Sequence, residues 1–113
     1  PYGDEVLKTV CSIIKDNTRP KDIVARYGGE EIIIYFSQFT SEPLLSVRLE
    51  DIRAKIEGTL IPGDGFFSSV TASFGCYIKE ASNHISLDDV IKLADENLYT
   101  CKHTGKNKVV ITK

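Results

Sequence analysis

Tryptophan and methionine are absent from the 113-residue chain, and only three cysteines and four prolines occur. Cys11, Cys76 and Cys101 lie far apart and are odd in number. They form neither a metal-ligand spacing nor an obvious disulfide set, which excludes a disulfide scaffold and favours a reducing cytosol. No apolar run approaches membrane-spanning length, the longest being Ile32 to Phe36. No signal-peptide pattern opens the sequence. An excess of positive charge is lacking too: 14 Lys and Arg against 16 Asp and Glu leave a net charge of −2, which argues against a nucleic-acid binder. The aromatics are not interleaved with basic residues, as a groove for single strands requires. His84 and His103 have no ligand-like neighbours and read as surface residues, and no Ser/His/Asp or Cys/His set is suggested. No repeat, low-complexity tract or long linker divides the chain. What is there is one domain of ordinary composition, 42% hydrophobic and 27% charged, long enough to bury roughly two-thirds of its unfolded surface around one core.

Periodicity supplies the elements. Val6, Leu7, Val10, Ile13 and Ile14 share a helical face. That helix begins almost at residue 1, with no cap chemistry ahead of it beyond Gly3-Asp4, and reads as a helix cut into. Asp16 to Pro20 breaks it. Asp22–Tyr27 and Glu31–Phe36 flank Gly28-Gly29 as a β-hairpin, because glycine accepts the positive φ of a tight turn. The continuous apolar run of the second strand predicts a central strand covered on both faces. Ser41 caps a second helix, with Pro43 in its first turn, Leu45, Leu49, Ile52 and Ile56 as its buried stripe and Gly58 as its stop. Ile61 to Gly65 reads as a loop, and a strand follows over roughly Ser69 to Ile78. Ser86 caps a third helix, with Asp89 in the capping-box position, an inner face of Leu87, Val90, Ile91, Ala94, Leu98 and Cys101, and Gly105 just beyond its end. Lys108 to Ile111 is the last strand. The order α-β-β-α-β-α-β predicts an α/β sandwich with one mixed sheet and a helix layer, ferredoxin-like if one more strand preceded residue 1.

Four places carry chemistry. At the hairpin tip, Arg26-Tyr27-Gly28-Gly29-Glu30-Glu31, glycines admit close approach to the backbone and two carboxylates follow. Adjacent strand residues face opposite ways, so one of the pair can meet a metal while the other bonds elsewhere. The plainer reading is a tight turn rimmed by solvated acids. Lys102 and Lys106 are spaced to converge on a polyphosphate, or to complement the negative end of the third helix. Arg19 and Asp22, in Arg19-Pro20-Lys21-Asp22, can grip a phosphate or a purine edge, or pair with each other. Asp4 is either an acceptor or a helix N-terminal acid.

Taken together these segments resemble the GGDEF domain of the diguanylate cyclase family. Arg26 to Ile32 is similar to its GGEEF form, Gly3-Asp4 with Leu7 to its Gly-Asp-x-x-Leu, and Arg19-x-x-Asp22, with five residues between it and Gly28, to its RxxD inhibitory site. Val70-Thr71-Ala72-Ser73-Phe74-Gly75 resembles its V-T-x-S-x-G strand. Ala94-Asp95, Leu98-Tyr99, Lys102 and Gly105-Lys106-Asn107 resemble its closing pattern. The likeness spans nearly all of residues 1–113, as a partial GGDEF domain with the family's nucleotidyl-cyclase palm-type fold.

The resemblance implies condensation of two GTP into cyclic di-GMP, with Mg²⁺ or Mn²⁺, by two domains facing each other as a homodimer. It implies that Glu30 is a metal ligand and a base for the 3′-hydroxyl, and that Glu31 supports the site. Gly28 and Gly29 would let the nucleotide lie close, Asp4 would accept from guanine, and Lys102 and Lys106 would hold phosphates. Arg19 and Asp22 would form the inhibitory site for product, completed by Arg53 of a neighbouring domain. A sensor domain upstream in a longer, cytoplasmic or membrane-anchored parent is implied, with no nucleic acid and no membrane contact by this domain. The sequence departs from the family at Ile32, where Phe is usual, and at Lys106, where Arg is usual. The family's first strand, with a metal-binding Asp and an Asn for guanine after it, has no counterpart here. The 113 residues alone are therefore expected not to catalyse, and the sheet is expected to keep an open edge or slot. The alternative is a catalytically silent module that binds cyclic di-GMP or GTP; a structural or dimerisation domain with a chance hairpin motif is the third reading.

Overall fold

The computed structural model describes residues 2–38 and 41–113, with the side chain of Tyr2 outside that set. Three helices and six strands follow one another as α1 (Tyr2–Asp16), β1 (Ile23–Gly28), β2 (Glu31–Tyr35), α2 (Glu42–Glu57), β3 (Ile61–Gly63), β4 (Phe66–Ser68), β5 (Phe74–Tyr77), α3 (Leu87–His103) and β6 (Val109–Thr112). The α/β class holds. Pro1, where the first helix was expected almost to begin, lies outside the described residues.

The caps form as their side chains dictate. Ser41 Oγ accepts from the Leu44 amide at 3.3 Å and Ser86 Oγ from the Asp89 amide at 3.1 Å, each satisfying an amide that the helix cannot. Gly105, just beyond the cap of α3, has φ 119°, and the Lys106 amide reaches back to the Cys101 carbonyl at 3.0 Å, which is the 6→1 closure of a Schellman turn. The α2 stripe is buried as its spacing requires, at Leu45, Leu49, Ile52 and Ile56. Ile52 and Ile56 join Ile14 of α1 in the core, and Val10, Ile13, Val24, Ile32, Ile34, Val70, Ala72 and Phe74 pack around them.

Both strand pairings occur, in separate two-stranded ladders. β1 and β2 are antiparallel, β3 and β4 antiparallel, and β5 and β6 parallel across the α3 crossover. Four expectations need correction. Ile61 to Gly65 is not all loop: it opens a short hairpin that turns at Asp64-Gly65, where Gly65 has φ 77°. The strand expected from Ser69 starts only at Phe74, because its ladder runs as far as β6 can match it, from Phe74 opposite Val109 to Tyr77 opposite Thr112. β2 is not covered on both faces: it bonds only β1 among the described residues, and Ile32 to Ile34 are half-buried. Leu87 is exposed, not inward, since it sits at the first residue of α3, short of the strands that the helix covers.

α3 lies directly on β5. A Cβ built on Gly75 would fall 2.2 Å from the Leu98 amide nitrogen and 2.4 Å from the Ala94 carbonyl oxygen, distances at which no side chain fits. Asn97, buried on the same helix face, donates its amide to the Cys76 carbonyl at 2.7 Å and to Thr112 Oγ1 at 2.8 Å, so one side chain ties α3 to both strands of the parallel pair.

Candidate functional site

The hairpin tip is shaped by glycine. The ladder shifts register between Arg26 and Gly28, and Gly29 takes φ 53°, a region that costs a side-chain-bearing residue free energy. Arg26 Nε and Nη2 both donate to the Gly29 carbonyl, at 3.0 and 2.8 Å, and clasp the turn. A Cβ on Gly28 or Gly29 would meet nothing within 4 Å, so one side of the tip is open backbone. Glu30 and Glu31 follow, both exposed. Neither has a side-chain hydrogen bond or ion pair among the described residues.

The other sequence-predicted residues lie on separate elements. Asp4 is exposed in the first turn of α1. Glu57 meets Asn107 at 2.7 Å, which joins the end of α2 to the turn after α3 that carries Lys106, and Lys102 lies in the last turn of α3. Both lysines are exposed, and among the described residues neither side chain is spent on an ion pair. Asn107 and the Arg53 side chain also meet here, at 2.9 Å.

Arg19 and Asp22 lie at the base of the β1–β2 hairpin, away from its tip, and are joined to each other. The Arg19 amide donates to Asp22 Oδ2 at 2.7 Å, and its Nη2 to Asp22 Oδ1 at 2.6 Å. The same Nη2 reaches the Ser37 carbonyl at 2.7 Å, just past the end of β2. The Asp22 side chain is fully covered, and that of Arg19 is 26% exposed. Burial works against a charged Asp22, but its hydrogen bonds to Arg19 outweigh it and hold the carboxyl below the usual carboxylate range. Arg53 is held by Glu50 and Glu57 on its own helix.

A divalent cation fits this donor set in one way. Among the described residues no three carboxylate, imidazole or thiol groups converge, so a closed protein cage is not what they form. Mg²⁺ ordinarily takes one or two carboxylates and completes its shell with waters and substrate phosphates, and Glu30 at an open turn suits that use. Sequence reasoning missed Asn97, Arg26 and Asn107 as structural anchors. The signal for Asn97 was a polar residue one turn before Cys101 on an apolar face; for the other two there was none, since each bond spans a turn or two elements. No helix of the described residues is long and apolar enough to cross a membrane.

Comparison with known proteins adds what geometry cannot. The family model for the diguanylate cyclase GGDEF domain matches residues 1–108. The chain is 36% identical, over 98% of its length, to a probable diguanylate cyclase, DgcT, of Escherichia coli, and 37% identical, over 98%, to diguanylate cyclase A of Treponema denticola. It spans only about a quarter of those relatives, 25% and 29%. Among solved structures it is similar to the GGDEF domain of DgcB from Caulobacter crescentus in complex with c-di-GMP, with a TM-score of 0.80, 28% identity, and 96% of this chain and 64% of that one covered. It is also similar to the diguanylate cyclase SiaD from Pseudomonas aeruginosa in complex with its activator SiaC, with a TM-score of 0.87, 26% identity, and coverage of 97% and 41%. These likenesses carry the palm-like α/β fold.

Proposed function

Since the chain belongs to the GGDEF family of diguanylate cyclase domains, we propose that it forms most of a catalytic domain that condenses two GTP into cyclic di-GMP. The observation that carries this reading is the open Gly28-Gly29 turn followed directly by the exposed, unpaired carboxylates Glu30 and Glu31; the exposed, unpaired lysines Lys102 and Lys106 at the end of α3 support it.

The chemistry follows from those groups. In each half-reaction the 3′-hydroxyl of one GTP attacks the α-phosphorus of the other. The new O–P bond forms as the bond to pyrophosphate breaks, and the hydroxyl proton leaves to a base. Such a transfer needs in-line positioning and charge neutralisation more than covalent help. Glu30 supplies the carboxylate that takes the proton or meets the cation, and Glu31 supports it. Lys102 and Lys106 hold the β- and γ-phosphates and stabilise the leaving pyrophosphate. Asp4 accepts from the guanine amide and amine, a pairing that adenine cannot offer. A bound Mg²⁺ or Mn²⁺ would add neutralisation of the phosphate oxygens. Two domains face to face supply the two nucleotides, and product bound at Arg19 and Asp22, with Arg53 of a neighbouring domain, inhibits.

The test is incubation of the full-length protein with GTP and Mg²⁺, with product read by chromatography. Cyclic di-GMP is the expected product, and Glu30→Gln should lower its rate by about two to four orders of magnitude. A second reading, a silent module that binds cyclic di-GMP, is favoured by the preformed Arg19–Asp22 pair. Product binding without turnover, lost in Arg19→Ala, would establish it in place of the first.

A further inference from the structure

In the Gly105-Lys106-Asn107 run, Asn107 has no part in that chemistry. Its surroundings are unusual. Lys106 and Asn107 both have left-handed backbone, φ 59° and 49°, directly after Gly105. Asparagine is enriched in that region because its short amide bonds locally, but lysine has no such compensation. Consecutive residues of this kind persist only where neighbouring structure holds them there. Asn107 is held at three points. Its backbone amide donates to Ser73 Oγ at 3.2 Å. Its Oδ1 accepts from Arg53 Nη1 at 2.9 Å, and its Nδ2 donates to Glu57 Oε2 at 2.7 Å. A cation on one side and a carboxylate on the other fix which way the amide points. Arg53 is itself steadied by Glu50 and Glu57. On the other side of Lys106, its own amide closes α3 on the Cys101 carbonyl. The backbone at Lys106 is thus fastened before and after, while its side chain stays exposed and unpaired.

We propose that Asn107 is a positioning residue: by locking onto the Arg53–Glu57 pair of α2 it holds Lys106 in the left-handed conformation that presents its ammonium to the nucleotide's phosphates. The inference rests on the reading of Lys106 as a phosphate-binding residue. It assigns to α2, which touches no GTP in that reading, a part in how well the phosphates are held.

The test uses the full-length protein with GTP and Mg²⁺, and the variants Asn107→Gly, Glu57→Ala, Lys106→Ala and Asn107→Gly/Lys106→Ala. Glycine accepts φ 49° without strain, so Asn107→Gly removes the lock and leaves the backbone free to keep its path. The expected result is a KM for GTP raised about fivefold, with kcat within about twofold, as loss of one or two charge-assisted hydrogen bonds to an aiming residue would give. Glu57→Ala, at an exposed position, should shift KM in the same direction even if Asn107→Gly melts early. Lys106→Ala should raise KM further, and the double variant should match Lys106→Ala alone, since a positioning residue has nothing left to position. Additive effects in the double variant, or an unchanged KM in both Asn107→Gly and Glu57→Ala while Lys106→Ala is impaired, would overturn the inference alone. A Lys106→Ala protein with wild-type KM would overturn the reading beneath it, and the inference with it.

Discussion

At the scale of single residues, the two polar groups with the clearest energetic signature are Asp22 and Cys76. Asp22 is covered, and its hydrogen bonds to Arg19 hold its pKa down. A carboxyl that ionises more readily folded than unfolded contributes stability that is fully present above its unfolded value, about 3.9, and that is lost as the pH falls through the folded value. Asp22→Asn should therefore lower the melting temperature at neutral pH, and its deficit against the wild type should shrink through the acid range. Melting curves at a series of pH values check this. For Cys76, burial pushes the thiol up to about 11, with the nearby Glu42 charge adding to it. Thiolate is the reactive form, so iodoacetamide at pH 8 should leave Cys76 unlabelled in the folded protein and label it in denaturant, as peptide mass spectrometry would show. The types of these residues were readable from the sequence. Their burial was not, because Arg19–Ser37 and Asn97–Cys76 are contacts between elements, which no local pattern encodes.

At the scale of elements, α2 was the most legible part of the chain. Four apolar residues at spacings of four, three and four, between a serine cap and a glycine, leave little choice of structure, and all four are buried. Ile52 is wholly enclosed, so Ile52→Ala should cost about 2–5 kcal/mol, measurable by urea denaturation at constant slope. The β3–β4 hairpin was illegible for the opposite reason. Each strand is three residues long, one contains Pro62, and Phe66 and Phe67 are exposed, so neither period nor composition marks it. The late start of β5 was hidden too, since the length of a ladder is decided by both partners, and the other one lies more than thirty residues on.

At the scale of the whole molecule, the candidate site is drawn from residue 4, residues 28–31 and residues 102–106, which belong to α1, to the β1–β2 turn and to the end of α3. No periodicity links them; the family resemblance did, through motifs in order. Arg53, which the resemblance gives to product binding, is fastened in the structure to Asn107. A ligand that draws Arg53 away removes one of the anchors behind Lys106. Cyclic di-GMP should then weaken GTP binding, and by linkage GTP should weaken cyclic di-GMP binding by the same factor. In Asn107→Gly that factor should fall toward one. Titration of each ligand in the presence of the other would measure it.

The bare backbone contact between Gly75 and α3 reaches further than packing. Strand and helix touch there with no side chain between them to shrink, swap or turn aside. Most core positions can drift over generations, one apolar residue traded for another while a neighbour adjusts. Position 75 has no such trade available. Any lineage that lost this glycine would have to lift α3 off the sheet, and with it the two lysines at its end. Inheritance of the fold and inheritance of the phosphate grip are thus tied together at one hydrogen atom.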